Sequence, residues 1–280
     1  MDKIRFDGKW LEAGSPLVTA DNRGLRYGDG VFETLRVDRG RLPLGSRHFQ
    51  RLFSSLSLLG FDLPAHFTPE KLETEILELT RKNQCTDLAR IRLMVFRGEG
   101  GLHEAPPLQT HYAIQAWPLN PSYRELNQNG LTVGLYPEAR KSTDRFSNLK
   151  SANYLPYILA ALFARKQKWN DALVLNTEGR VADATIANLF VRIKGNWITP
   201  ALSEGVVAGV MRGVLLEQMP QWGWPVSEGL LSPGDLLEAD AAFLSNALSG
   251  IRWIGELENK RLLPAEAPMI FESLIRTSLL

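Results

Sequence analysis

Apolar and polar residues alternate from Ile4 to Leu11 around Asp7-Gly8, a period-two pattern with a turn dipeptide that predicts a hairpin. Glycines at 24, 28 and 30 mark tight backbone, and the residues that follow predict a strand turning at Asp38-Arg-Gly40. The period then changes. Phe49, Leu52, Phe53, Leu56 and Leu59 form one stripe, so the spacing predicts a helix that Ser46 caps and Gly60 ends. Thr68-Pro69 opens a second helix, with threonine as cap and proline at the first position. Ala89 to Phe96 and His111 to Trp117 predict strands, joined by Arg97-Gly-Glu-Gly-Gly-Leu-His103 and a Pro106-Pro107 loop. The loop's glycines suit a mobile rim or lid.

Pro118-Leu-Asn-Pro121 is the best linker, which divides the chain into a smaller N-terminal domain, residues 1–120, and a larger one, residues 121–280. Gly130 to Tyr136 predicts a strand, and Lys141 to Tyr154 is polar without a period. It leads into Leu155 to Ala164, apolar throughout, which predicts a buried helix. Strands follow at Ala172–Asn176 and Ala187–Ile193, with a turn at Glu178-Gly179 and the segment Arg180 to Asn188 connecting them. Gly205 to Gly213 runs into a helix ending at Pro220; Phe243 to Gly250 is a strand closed by a small polar turn. An amphipathic helix closes the chain from Ala265 to Leu280. No internal repeat or low-complexity segment occurs.

With 280 residues, 44% hydrophobic and 22% charged, the composition is that of a globular protein able to bury a large core. A net charge of +1 gives no reason to expect nucleic acid or an anionic membrane as partner. One cysteine, Cys85, excludes an internal disulfide and a cysteine-rich metal site, and no metal is expected. No apolar run suits a signal peptide or a bilayer span, so the expected setting is cytoplasmic, with a small molecule as partner. Gly28-Asp-Gly30 lacks the last glycine of a dinucleotide fingerprint and precedes a strand, which excludes that reading.

Candidate chemistry is spread along the chain. Lys150 stands at the mouth of the most apolar segment, where desolvation lowers a lysine pKa and favours the neutral nucleophile. Asp183 is a carboxylate in apolar company, expensive unless a cation or donor meets it. The start of the helix after Gly205 offers backbone N–H groups to an anion, and Arg51 flanks an early helix stripe. Such a set would suffice for pyridoxal phosphate: a lysine for the aldehyde, a carboxylate for the ring nitrogen, a helix start and an arginine for the phosphate.

Several ordered motifs add to this: Arg23-Gly-Leu-Arg-Tyr-Gly-Asp-Gly-Val-Phe-Glu33, His48-Phe-Gln-Arg51-Leu52, Ser147-Asn-Leu-Lys150, Ala184-Thr-Ile-Ala-Asn188-Leu-Phe190 and Gly209-Val-Met-Arg212. Over nearly its whole length the chain resembles the class IV aminotransferase family. These fold-type IV pyridoxal-phosphate enzymes include branched-chain and D-amino-acid aminotransferases and aminodeoxychorismate lyase. The resemblance implies a two-domain α/β (α+β) architecture, the larger domain β-barrel-like, and a homodimer. It further implies Arg51 for the phosphate, Lys150 for the aldehyde and Tyr154 for the ring's phenolic oxygen. The backbone N–H groups of Val210 and Met211 join at the phosphate, with the Asn246-Ala247 turn nearby.

This sequence departs from the family pattern in places. Asp183 stands where most members have glutamate, and Met211 replaces a common threonine. Gly209-Val-Met-Arg212 and Ser245-Asn-Ala-Leu248 are closer to aminodeoxychorismate lyase, yet the 97–103 loop lacks an arginine that lyases often carry there. Tyr27, Arg97 and His103 are the candidates for substrate contact. The expected reaction is release of pyruvate and 4-aminobenzoate from 4-amino-4-deoxychorismate through a Lys150 Schiff base. The alternatives are a branched-chain or D-amino-acid transaminase and, in another class, an inactive ligand-binding relative.

Overall fold

The computed structural model describes residues 2–104 and 108–280; the Pro106-Pro107 loop lies outside the described residues. The chain folds as two units, one of residues 1–121 with 150–153, the other of residues 122–149 with 154–280.

The first unit contains β1 (Lys3–Phe6), β2 (Lys9–Glu12), α1 (Arg23–Tyr27), β3 (Gly30–Asp38), α2 (Gly45–Leu58), α3 (Pro69–Lys82), β4 (Leu88–Arg97) and β5 (Thr110–Pro118). Its strands make one antiparallel sheet in the order β2-β1-β5-β4-β3. Period two puts Val31, Leu35 and Val37 of β3 on one face with Ile91, Leu93 and Val95 of β4 and Ile114 of β5. The helix stripes Phe49, Leu52 and Leu56 of α2 and Leu72, Ile76 and Leu79 of α3 cover that face. Each such side chain is worth about 1.5–3 kcal/mol when fully buried.

The predicted hairpin, the Thr68-Pro69 opening and the long strands are all present. Thr68 accepts from Lys71 N at 3.3 Å, and Gly60 closes α2 in the left-handed region. Two readings are corrected. Ser46 is inside α2, whose N-cap is Leu44 at φ 58° with no side-chain bond. The glycine-rich stretch before the strand holds a short helix, α1: Gly24 lies within it, Asn22 Oδ1 caps it by accepting from Leu25 N at 3.1 Å, Gly28 at φ 65° ends it, and Gly30 opens β3.

The second unit contains β6 (Leu131–Lys141), α4 (Leu155–Lys166), β7 (Asp171–Asn176), β8 (Val181–Ala184), β9 (Asn188–Ile193) and β10 (Asn196–Pro200). Next come α5 (Val210–Gln218), β11 (Val226–Gly229), α6 (Pro233–Glu238), β12 (Ala241–Asn246), β13 (Gly250–Leu257), β14 (Lys260–Arg261) and α7 (Ala267–Arg276). Its half-barrel sheet runs β11-β10-β9-β12-β13-β6-β7-β8, with β14 beside β13. Mixed pairing, parallel at β6–β7, β6–β13 and β10–β11, accompanies the α/β class.

The Arg180–Asn188 segment is not simply a connection, because β8 lies within it and carries Asp183. The 155–164 segment is a helix as predicted, but it is not buried all round. Tyr157, Ala160 and Ala164 face the sheet, while Leu155, Ile158, Leu159 and Leu162 are 41–64% exposed. An unbroken apolar run has no period to say which face turns inward; the small alanines let α4 lie close to β6 and β7. Among the described residues no helix is long and apolar enough to cross a membrane.

Candidate active site

In the first unit, residues 150–153 run along the outer edge of β3. Phe32 N donates to Lys150 O at 2.9 Å, Ala152 N donates to Gly30 O at 2.9 Å, and Val31 bridges Ser151. This register sets Lys150 beside Phe32, with Nζ 4.6 Å from the ring centre. The Arg92 guanidinium of β4 stands 4.0 Å from the centre of the same ring. One aromatic side chain is thus approached by two basic groups, each favoured by the electron-rich ring.

The opposite face of β3 carries Glu33, completely enclosed under α2. Its carboxylate accepts from Arg51 Nε at 2.7 Å, from Arg51 Nη2, and from His48 Nδ1 at 2.7 Å. Burial alone would push the Glu33 carboxyl up, but the Arg51 charge and the bonds from His48 and Arg51 hold it down at about 2. Burial drives His48 below its ordinary 6.5; Glu33 opposes this, and the charges of Arg51 and Lys150 add to it. A carboxylate only accepts, so His48 Nδ1 carries the proton.

The residues predicted for substrate contact belong to this unit. Arg97 donates to Asp29 Oδ1 at 2.7 Å, Leu59 O at 2.6 Å and Gly60 O at 3.1 Å, and lies over Phe61. Tyr27 ends α1 beneath the guanidinium groups of Arg23 and Arg26, and His103 is exposed on a turn. The glycine loop expected to move is tied to residues 21–23: Arg23 N donates to Gly98 O at 2.8 Å and Gly100 N to Asp21 O at 3.3 Å.

In the second unit Asp183 is met by donors from separate elements. Tyr157 Oη of α4 donates to Oδ1 at 2.8 Å, Val207 N donates to Oδ2 at 2.8 Å, and Lys141 Nζ at the end of β6 reaches Oδ2 at 3.4 Å. Burial lowers the Lys141 ammonium, Asp183 opposing; burial and the Asp183 charge drive the Tyr157 hydroxyl well up. Tyr154 stacks on Tyr157 with ring centres 4.6 Å apart and donates its hydroxyl to Thr185 O at 2.7 Å.

Val210 and Met211 are the first residues of α5, whose N-cap Gly209 has no side-chain bond. Asn188 and Asn148 fasten the loop before it: Asn188 Nδ2 donates to Val207 O at 2.9 Å, and Asn148 Nδ2 to Val206 O at 2.7 Å. A Cβ at Gly209 would fall 1.9 Å from Asn188 Oδ1, so any larger residue there must push that amide or the backbone aside. At the β12–β13 turn, Asn246 Oδ1 accepts from Leu248 N, Ser249 N and Ser249 Oγ, each at 3.0 Å, which leaves Ala247 at the tip. The Asn246 side chain therefore builds its own turn.

The structure collects Lys150, Arg51 and their neighbours in one unit and Tyr154, Asp183, Val210 and Met211 in the other. Sequence reading missed Glu33, Lys141 and Tyr157. Glu33 had a signal: it alternates onto the same face as Val31, Leu35 and Val37, where a carboxylate needs a partner. Lys141 and Tyr157 had none, because their contact with Asp183 joins distant elements.

A sequence model described as Amino-transferase class IV matches residues 30–257. A protein of Methanocaldococcus jannaschii, provisionally named a branched-chain-amino-acid aminotransferase, is 31% identical over 262 residues, covering 92% of this chain and 88% of its own. Aminodeoxychorismate lyase of Vibrio harveyi is 28% identical over 239 residues, covering 84% and 85%. The crystal structure of a branched-chain aminotransferase from Thermoproteus uzoniensis with norvaline aligns with a TM-score of 0.88 at 27% identity, over 99% of this chain and 94% of that one.

Proposed function

The chain belongs to the class IV aminotransferases, a family of pyridoxal-phosphate enzymes, and from that premise we propose that it is a 4-amino-4-deoxychorismate lyase with Lys150 as the aldehyde-binding amine. The observation that carries the substrate class is the Phe32 ring that both the Lys150 amine and the Arg92 guanidinium approach, basic groups that suit an anionic amino substrate. The lyase-like runs Gly209–Arg212 and Ser245–Leu248 support the reaction type.

The residues fit the cofactor. The start of α5 is uncapped, and Asn188 fills the space that any side chain at 209 would need, a backbone cradle of the kind a phosphate takes. In the first unit Arg51 is the side chain that would hold the phosphate; in the second, the N–H groups of Val210 and Met211 and the Asn246–Ala247 turn are the backbone donors that would do so. Asp183, its carboxylate held by Tyr157, Val207 N and Lys141, would accept the ring N–H. Tyr154, whose hydroxyl donates to Thr185 O, is the residue that would meet the ring's phenolic oxygen.

Bound pyridoxal phosphate supplies an electron sink that acidifies the carbon next to the substrate nitrogen. Lys150 Nζ would be the base that takes that proton. Arg92 orients the substrate carboxylate. Pyruvate then departs as the substrate ring becomes aromatic, so no keto acid is consumed. A second reading, amino-acid transamination, is supported by the archaeal relative. In that reading Lys150 would return the proton it had taken, and a keto acid would be the product. The exposed aliphatic face of α4 supports a homodimer.

The test supplies aminodeoxychorismate without a keto acid to the yellow, cofactor-loaded protein. Equal release of pyruvate and 4-aminobenzoate, lost together with the bound-cofactor absorption in Lys150→Ala, is expected. No release, with amino groups transferred to keto acids instead, makes it a transaminase. A colourless protein that takes up no cofactor overturns both readings and returns the ligand-binding alternative.

A further inference from the structure

Behind Arg51 lie Glu33 and His48, two buried ionisable groups that the reaction above does not use. They sit among Val31, Leu35, Phe49 and Leu52, where a charge costs several kcal/mol unless its partners are well placed. Side-chain exposure is graded: His48 1%, Glu33 2%, Arg51 14%. The carboxylate is therefore anchored inside, and the guanidinium is held at the margin.

A carboxylate on the Nε/Nη2 edge of an arginine fixes both the plane and the heading of the fork, so the Nη1 side can take only one direction. His48 holds the carboxylate in turn. With its proton on Nδ1, its Nε2 is bare, and that atom is buried with no hydrogen-bond partner among the described residues. A second proton there would be an unpaired buried charge, so His48 acts as a neutral, single donor to Glu33.

We infer that Glu33 and His48 are positioning residues: Glu33 aims the Arg51 guanidinium at the phosphate, and His48 aims Glu33. The inference rests on the reading of Arg51 as the phosphate-binding arginine. A rival role for Glu33 is mere neutralisation. The two differ in sign, because removing a neutralising carboxylate strengthens an anion site, whereas removing an aiming one weakens it.

The full chain, stripped of cofactor, is titrated by absorbance with pyridoxal phosphate and with pyridoxal, which lacks the phosphate. The ratio of the two dissociation constants isolates the phosphate contribution. Damage to the fold at large weakens both ligands and leaves the ratio unmoved. Arg51→Gln collapses the ratio; if it does not, the reading of Arg51 fails and the inference with it.

Glu33→Gln, with Arg51 intact, lowers the ratio about tenfold, the loss of one charge-assisted bond. A ratio that is unchanged or raised, while Arg51→Gln collapses it, overturns the inference and leaves the Arg51 reading standing. In an Arg51→Gln background, Glu33→Gln has no further effect on the ratio; an added fall shows that Glu33 acts elsewhere and overturns the inference. This neutral pair also carries the test should the single variant fold poorly. His48→Asn, whose amide reproduces the Nδ1 donor, keeps the ratio, and His48→Leu lowers it; equal effects remove His48 from the role.

Discussion

At Glu33 and His48 a few atoms decide how the protein responds to acid. His48 stays neutral in the fold, while the unfolded chain takes up a proton near 6.5. Below that pH the unfolded state binds more protons, so stability falls as pH drops. Glu33 stays ionised in the fold down to about 2, whereas the unfolded carboxyl protonates near 4.5. Its contribution is whole above 4.5 and is lost as pH falls toward 2. Thermal melts from pH 8 to pH 4 should show a declining midpoint whose first part flattens in His48→Asn. Glu33→Gln should cost about 1–3 kcal/mol at pH 7, because it breaks the charge-assisted bonds from Arg51, and should be flatter below pH 5. A wild-type midpoint constant from pH 8 to pH 4 would refute the His48 assignment, and one constant from pH 4 to pH 2.5 the Glu33 assignment. Glu33 was legible as a residue on a buried strand face, but its partners were not, since α2 meets β3 only in the fold.

Elements whose ends are set by neighbouring residues match their predicted bounds closely. Thr68-Pro69 opens α3 because a hydroxyl acceptor and a preset φ act within one turn. α2 begins differently, at a left-handed Leu44, because chain direction there follows packing and not a cap. β8 was missed because four residues bounded by a turn and Thr185 are too few to display a period. The start of α5 depends on a contact from outside it, Asn188 Oδ1 pressed against Gly209. Gly209→Ala must push that amide or the helix start aside, at a cost of about 1–3 kcal/mol. The expected result is a lower melting midpoint and roughly tenfold weaker binding of pyridoxal phosphate, the equivalent of one backbone bond to an anion. Unchanged affinity would remove the α5 start from the phosphate site.

At the scale of the whole molecule, the aliphatic face of α4 concerns assembly. Leu155, Ile158, Leu159 and Leu162 are an exposed helical stripe, the i, i+3, i+4, i+7 pattern that normally meets a partner. Ile158→Glu with Leu162→Glu should convert a dimer to a monomer in sedimentation, with the monomer's own stability within about 0.5 kcal/mol of the parent. A wild type that sediments as a monomer would refute the dimer. The residues settled the strands and helices with clear periods and the order of the motifs on which the family resemblance, and through it the α/β expectation, rests. Those properties depend on neighbours a few positions apart, which the chain displays in order. Tertiary structure alone decided which face of α4 is exposed, that Lys150 and Arg92 share Phe32, and which donors meet Asp183. Each of these is a contact between side chains far apart in sequence, and no local spacing carries the geometry that brings them together.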